Sequence, residues 1–156
     1  MDEMRKILVA IDDSDGAQRA LQWTLENFYR EGDILALLHV IPRPQATISY
    51  GAPPVDMLPS SSQVDQEQQA LEAQRFIREK FLPRLQGCAD EPEVHIVRSE
   101  LDADSVGNTI CKRAKDMKAT AIVISSQSRS KMQEFLLGSI TNYCTHHCQQ
   151  PVLVVQ

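Results

Sequence analysis

The sequence predicts an α/β domain built on a five-stranded parallel sheet, with strand order 3-2-1-4-5 and helices on both faces. Short apolar runs alternate along the chain with stretches whose apolar residues recur every three or four positions, the pattern of strands alternating with amphipathic helices. The second run, residues 34–41, is apolar almost throughout, as expected for a strand covered on both faces of its sheet. A chain that alternates strand and helix builds a parallel sheet through right-handed crossovers.

The first strand and helix are predicted from residues 6–30. The run 6–11 is apolar after its first residue, and the acidic and hydroxyl residues at 12–15 suit the N-terminus of a helix that ends near residue 30. The inward face of this helix is predicted from helical spacing to carry Ala17, Ala20, Leu21, Thr24, Leu25 and Phe28.

The remaining elements follow the same alternation. Residues 93–98 alternate polar and apolar side chains, which predicts a more exposed strand at a sheet edge. Residues 42–62 contain five prolines and little periodicity, and are predicted to form a flexible loop within a single domain, 1–156. Further strands are predicted at 34–41, 120–125 and 151–155, and further helices at 63–85, 102–117 and 138–147. Inward positions predicted for the helix 63–85 are Ala70, Leu71, Ala73, Phe76, Ile77, Phe81 and Leu82.

Composition narrows the range of functions. The 156 residues are 42% hydrophobic and 24% charged, which is typical of one globular domain. The net charge of -5, with no face rich in Lys or Arg, argues against nucleic acid as a partner. The first residues are acidic and no long apolar stretch follows, so we expect neither a secretory signal nor a membrane span. A cytoplasmic protein that binds small molecules or other proteins is expected.

The four cysteines are scattered along the chain, at positions 88, 111, 144 and 148. This spacing is not that of a disulfide framework, so we expect free thiols and no structural disulfide. Cys144, His147 and Cys148 stand at i, i+3 and i+4 of a predicted helix and could present three metal ligands on one face. Since no second ligand cluster accompanies them and free cysteine often packs as a small apolar residue, no metal site is predicted.

The segment 122–139 carries the strongest functional signal. It reads as a buried strand, a loop of small polar residues with Arg129 and Lys131, and the start of the last helix. Free backbone N–H groups and the positive end of the helix dipole meet there, which suits an anion such as a phosphate. The two basic side chains could meet phosphate charge or be merely solvated. In the predicted strand order Asp12 and Ser125 are neighbours, because both follow adjacent strands at the edge where doubly wound sheets bind ligands.

The chain resembles the universal stress protein family, and its single-domain plant-like members above all, over nearly its whole length. The motifs that carry the resemblance are VAIDDS at 9–14, the pair His39-Val40, and the segment from Gly138 to Val155, which begins GSITNYCTHH and ends PVLVV. One branch of that family binds ATP or AMP through a pattern of Gly, two residues, Gly, nine residues, then Gly followed by Ser or Thr. These positions fall here on Ser125, Ser128, Gly138 and Ser139.

The resemblance implies a stress-response regulatory protein that binds an adenine nucleotide. It implies base and ribose contacts from Ala10 and Asp12 and an adenine contact from Val40. The phosphates would lie against Ser125, Ser128, Gly138, Ser139 and Ile140, with Arg129 near their charge. The cofactors so implied are ATP or AMP, with Mg²⁺ as an accompanying ion. The resemblance also implies a homodimer formed through the C-terminal strand, 152–155.

Two alternatives remain open at this point. Serine replaces glycine at two motif positions, and where glycine is needed for positive φ or close approach a serine costs about 1–2 kcal/mol. The chain could therefore be a ligand-free dimeric interaction module of the same family. Asp12 could equally act as a helix cap, a role for which Asp13 and Ser14 compete. The sequence contains no Walker-type phosphate loop, no GxGxxG and no GxSxG, so no enzyme is predicted and a weak phosphohydrolase is the least favoured function.

Overall fold

The computed structural model describes residues 4–42, 63–99, 103–126 and 138–156. Its five strands pair in parallel in the order β3-β2-β1-β4-β5, which confirms the predicted fold class and strand order. The strands are β1 (Lys6–Ala10), β2 (Ile34–Ile41), β3 (Glu93–Arg98), β4 (Ala121–Ser125) and β5 (Val152–Val155). The helices are α1 (Asp15–Asn27), α2 (Gln63–Phe76), α3 (Ala103–Asp116) and α4 (Ser139–His147).

Burial follows from position in the sheet. In the central strand β1, the side chains of Ile7, Leu8 and Val9 are fully buried, since helices cover both faces. One face packs against α1 and the segment after α2, and the other packs against α3 and α4. The outer strands β3 and β5 are half-buried along most of their length, so the exposed edge position predicted for β3 is confirmed.

The predicted helix 63–85 changes its winding near its end. After α2 the chain forms a π-helical turn, Ile77–Phe81, and then a 3₁₀ turn, Leu82–Leu85, with Pro83 at its start. Proline lacks the N–H that the α-helical pattern needs, so regular α-helix cannot continue through it. The inward position predicted for Leu71 is wrong: its side chain is 63% exposed, whereas Ala73, Ile77 and Phe81 are buried.

The expectation of no structural disulfide is also wrong. Cys111 on α3 and Cys148, directly after α4, form a disulfide with a Cα–Cα distance of 4.8 Å. The two residues are 37 positions apart, and they meet because α3 packs against α4 with Gly107 facing the ring of Tyr143. A Cβ at Gly107 would lie 2.5 Å from that ring, so the glycine permits this close helix approach.

Two further predictions concern residues 43–62 and membrane spans. Residues 43–62, which form all but one position of the predicted flexible loop, lie outside the described residues. Within the described ranges, no helix has both the length and the apolar character required to cross a bilayer.

Candidate functional site

A cavity of about 110 Å³ lies at the carboxyl ends of β1, β2 and β4. Strand order reverses between β1 and β4, and ligands of doubly wound sheets bind at this point. The described part of the chain brings seven of the nine predicted site residues to its wall, and the other two, Ser128 and Arg129, lie outside the described residues. The seven are Ala10, Asp12, Val40, Ser125, Gly138, Ser139 and Ile140.

The first strand-to-helix junction of the cavity, between β1 and α1, is closed by side chains. Ser14 is the N-cap of α1, and its Oγ accepts a hydrogen bond of 3.1 Å from the backbone N–H of Ala17. The Ser14 hydroxyl donates to Oδ1 of Asp12. Ser14 therefore fills the capping role for which Asp12 was a candidate, and the half-buried Asp12 carboxylate lines the cavity instead.

The second junction, between β4 and α4, is built differently. Gly138 is the N-cap of α4, with φ −57° and ψ 153°, and as a glycine it has no side chain to cap the first turn. The Gly138 N–H donates to the Ser126 carbonyl at 2.8 Å, and the first bond within the helix runs from Asn142 N–H to the Gly138 carbonyl. The N–H groups of the three residues between them therefore have no acceptor within the helix, and all three residues line the cavity.

Ser125 occupies the first glycine position of the family motif without backbone strain. Among the described non-glycine residues only Lys118 has a positive φ, so Ser125 adopts a conformation open to any L residue. Its carbonyl accepts a buried hydrogen bond of 2.8 Å from the Thr141 hydroxyl, which ties the end of β4 to the first turn of α4. The cost that positive φ would impose on a serine does not arise at this position.

His39, which precedes Val40 in the family motif, also lines the cavity. Its Nδ1 lies 2.9 Å from the carbonyl oxygen of Ile11, and its ring meets Phe76 edge to face at 4.9 Å. Because a carbonyl only accepts, Nδ1 carries the proton in this hydrogen bond. This bond holds the ends of β1 and β2 together.

The contribution of α3 to the cavity was not predicted from the sequence. Val106 and Ile110 form part of its apolar wall, together with the end of β2. Their i, i+4 spacing on an amphipathic helix marks them as one inward face. That signal predicts burial against the sheet, but only the packing of α3 beside α4 shows that the same face lines the cavity.

Family comparison agrees with this architecture. The family model described as "Universal stress protein family" matches residues 3–156. The chain belongs to the universal stress protein family. This confirms the family expected from the motifs at residues 9–14 and 138–155.

The chain is similar to universal stress protein PHOS34 of Arabidopsis thaliana, with 26% identity over 97% of this chain and 62% of the relative. It is also similar to universal stress protein Sll1388 of Synechocystis, with 28% identity over 97% of both chains. The universal stress protein described here thus spans less than two thirds of the length of PHOS34.

Solved structures share the fold at low sequence identity. Universal stress protein UspA from Lactobacillus plantarum matches over the full length of both chains, with a TM-score of 0.72 and 22% identity. A universal stress protein from Archaeoglobus fulgidus in complex with dAMP matches over the full length of both chains, with a TM-score of 0.57 and 21% identity. Another universal stress protein, in complex with cAMP, covers 98% of this chain and 97% of its own, with a TM-score of 0.61 and 16% identity.

Proposed function

We propose that this universal stress protein is a stress-response regulator that binds an adenine nucleotide, ATP or AMP, in the cavity at the ends of β1 and β4. The observation that carries the proposal is the first turn of α4, whose N–H groups have no acceptor within the helix and, with the positive end of the helix dipole, line the same cavity as Asp12 and Val40. Family members with the same fold in complex with dAMP and cAMP support the choice of an adenine nucleotide.

The cavity offers a different chemistry to each part of a nucleotide. The apolar wall formed by Ala10, Val40 and Ile110 suits the adenine ring. The Asp12 carboxylate suits a ribose hydroxyl, because an ionised oxygen is a strong acceptor. The N–H groups of Ser139 and Ile140, with the hydroxyls of Ser125 and Ser139, suit the phosphates. Ser128 and Arg129 complete the phosphate site in this proposal.

The unstrained backbone at Ser125 favours a nucleotide site over the ligand-free dimeric module. Were serine at the first motif position incompatible with the backbone, the β4–α4 junction would have to depart from the phosphate-binding arrangement. Instead Ser125 adopts ordinary φ and its carbonyl anchors α4 through Thr141. Serine here preserves the junction and adds a hydroxyl donor.

Binding is tested by isothermal titration of the protein with ATP, ADP and AMP, with and without Mg²⁺. Asp12→Asn should weaken binding roughly 10-fold, because it replaces a charged acceptor with a neutral one. Asp13→Asn is the matched control, since the Asp13 carboxylate is exposed and pairs with Lys80 on the outer surface. Lack of binding by the parent protein at millimolar nucleotide, or equal losses in both variants, contradicts the proposal.

The role we propose is regulatory: the nucleotide is bound as a signal and is not hydrolysed as a substrate. The protein is incubated with ATP for a time that allows many cycles of binding and dissociation, and the nucleotide is then analysed by chromatography. The ATP should remain unchanged. Release of many equivalents of phosphate per protein, lost in Asp12→Asn, would instead indicate a phosphohydrolase.

The proposed homodimer forms through the open edge of β5. The carbonyls of Pro151 and Val155 accept from β4, so alternation along the strand turns the N–H of Val154 away from β4. An open edge of this kind pairs readily with a second copy. In sedimentation velocity, Val154→Pro should be monomeric, because it removes that outward donor, while Val154→Thr, which keeps the donor, should remain dimeric. A dimeric Val154→Pro variant would exclude this interface.

A further inference from the structure

Three cysteine sulfurs converge at the α3–α4 contact, near the C-terminal end of α4, whereas the cavity meets the first turn of that helix. The Sγ atoms of Cys111, Cys144 and Cys148 all lie within 4.8 Å of one another. Cys111 comes from α3, Cys144 from the second turn of α4, and Cys148 is the residue directly after that helix. Among the described residues no other His, Cys, Asp or Glu joins this group. Cys111 therefore supplies the ligand from a second element that the i, i+3, i+4 spacing on α4 lacked.

We propose that, in the reduced protein, Cys111, Cys144 and Cys148 form a three-sulfur binding site for one Cu(I) ion. Sulfur ligands select soft cations such as Cu(I) over harder divalent ions. Metal–sulfur bonds of about 2.3 Å place three trigonal sulfurs about 4 Å apart, a separation that the present cluster reaches once the disulfide opens. The site lies apart from the nucleotide cavity and does not depend on the proposed function.

The surroundings of Cys144 fit a metal ligand that is shielded from solvent. The residue is fully buried, and its thiol has a weak contact of 3.9 Å with the Gly107 carbonyl. Burial raises the pKa of the Cys144 thiol to about 11, so without a cation the sulfur keeps its proton. A bound cation favours the thiolate, and the half-buried Cys111 and Cys148 provide the route by which it enters.

The number of ligands distinguishes Cu(I) from Zn(II). Structural zinc sites are tetrahedral and need a fourth ligand. The nearest candidate in sequence is His147, but its Nδ1 lies 2.9 Å from the Tyr143 carbonyl and its ring stacks on Tyr143 at 4.1 Å. Three sulfurs without a histidine suit Cu(I), which accepts low coordination numbers with soft ligands.

Reduction controls access to the site because the Cys111–Cys148 disulfide occupies two of its three sulfurs. A dithiol reductant supplies two electrons and two protons, the S–S bond breaks to give two thiols, and the reductant becomes a disulfide. Each sulfur that then binds Cu(I) as a thiolate releases one proton to solvent. The copper does not change its oxidation state in this sequence.

The test is a Cu(I) titration of the full chain under argon, after reduction with dithiothreitol and removal of the reductant. Competition with bicinchoninate, whose Cu(I) complex is coloured, measures the affinity. The reduced protein should bind one Cu(I), and Cys144→Ser should weaken binding at least about 10-fold, which corresponds to the loss of one ligand. Cys88→Ser is the matched control: Cys88 is a free cysteine that packs on the opposite face of the sheet, and its loss should leave the affinity unchanged.

Two further measurements keep the proposal open to contradiction. X-ray absorption at the copper edge should count three sulfur neighbours in the reduced parent protein, and Cys148→Ser should also lose affinity if Cys144→Ser does not fold. The unreduced protein should bind no Cu(I). Equal affinities in Cys144→Ser and Cys88→Ser, two sulfur neighbours in the parent protein, binding by the unreduced protein, or tighter binding of Zn(II) than Cu(I) would each overturn the proposal.

Discussion

The two strand-to-helix junctions of the cavity share a sheet edge but use their polar groups in opposite ways. At the β1–α1 junction, Ser14 accepts from the first turn of the helix and donates to Asp12, so the helix terminus is satisfied from within the chain. At the β4–α4 junction, Gly138 offers no side chain, and the backbone donors of the first turn have no acceptor within the helix.

This difference explains how one cavity can present both hydrogen-bond acceptors and hydrogen-bond donors to a ligand. At the capped helix α1, Ser14 accepts from the N–H of Ala17, and the Asp12 carboxylate lines the cavity as an acceptor. An uncapped helix leaves its donors facing the cavity and so suits negative charge. Acceptors and donors thus stand on separate walls, which matches a ligand with hydroxyls at one end and phosphate at the other.

The largest expected effect comes from the disulfide. The ring that it closes contains the β4–α4 junction and does not contain the β1–α1 junction. Reduction should lower the free energy of unfolding by about 3–4 kcal/mol, as expected for a ring spanning 37 positions. Urea denaturation with and without reductant measures this change. Cys148→Ser should be insensitive to reductant, and Cys88→Ser should respond as the parent protein does; a parent protein unaffected by reductant would contradict the assignment.

The cap itself provides the next effect. Ser14→Ala should destabilise the protein by about 1 kcal/mol, because the N–H of Ala17 loses its acceptor. Ser139→Ala, at an exposed first-turn position of a helix whose N-cap is a glycine, should change stability by less than about 0.5 kcal/mol. Thermal denaturation of both variants compares the junctions directly, and equal losses would mean that they are not built differently.

The converse substitution adds a cap where there is none. Gly138 has an N-cap backbone conformation that any L residue adopts, so Gly138→Asp should place a carboxylate beside the first N–H groups of α4. We expect this variant to be more stable than the parent by about 0.5–1 kcal/mol in urea denaturation. Gly138→Ala, which adds a Cβ without an acceptor, is its control and should gain no stability.

The smallest expected effect comes from an ion pair at the β3 edge of the sheet. It tests whether the stability of the junctions is independent of that edge. Lys6 Nζ donates to Glu93 Oε1 at 2.9 Å and lowers the pKa of that carboxyl in the folded state, with a smaller effect from His95. A depressed folded pKa contributes stability that is present above the unfolded value, near 4.5, and is lost as pH falls through the folded pKa.

Because Glu93 is more than one third exposed, this contribution should stay below about 1 kcal/mol. Lys6→Met should flatten the acid limb of a plot of stability against pH, and its effect should add to that of Ser14→Ala. A strongly non-additive double variant would show that the edge and the β1–α1 junction are coupled.

Local patterns predicted most of the fold, because strands and helices here carry their own signals. The uniformly apolar run of β2 and the alternating run of β3 gave their central and edge positions. The location of the cavity followed from strand order, since Asp12 and Ser125 end neighbouring strands. Sequence could not choose between Asp12 and Ser14 as the cap, because both are suitable acceptors two residues apart and only backbone geometry separates them.

Features that depend on packing between elements distant in sequence could not be predicted from the sequence. Cys111 and Cys148 carry no local sign that they meet, and their approach depends on the close contact of Gly107 with Tyr143. Leu71 fits a helical stripe but lies where α2 is exposed. Likewise, the strain expected of serine at a glycine position could be judged at Ser125 only once its backbone conformation was known.

The contrast between AMP and adenosine affinity tests the central claim most directly, since the two ligands differ only in the phosphate that α4 should receive. The account predicts that the parent protein binds AMP at least about 10-fold more tightly than adenosine, and that Gly138→Asp removes this difference while retaining its adenosine affinity. Equal affinities for AMP and adenosine in the parent protein, or a preference for AMP that survives in Gly138→Asp, would contradict it.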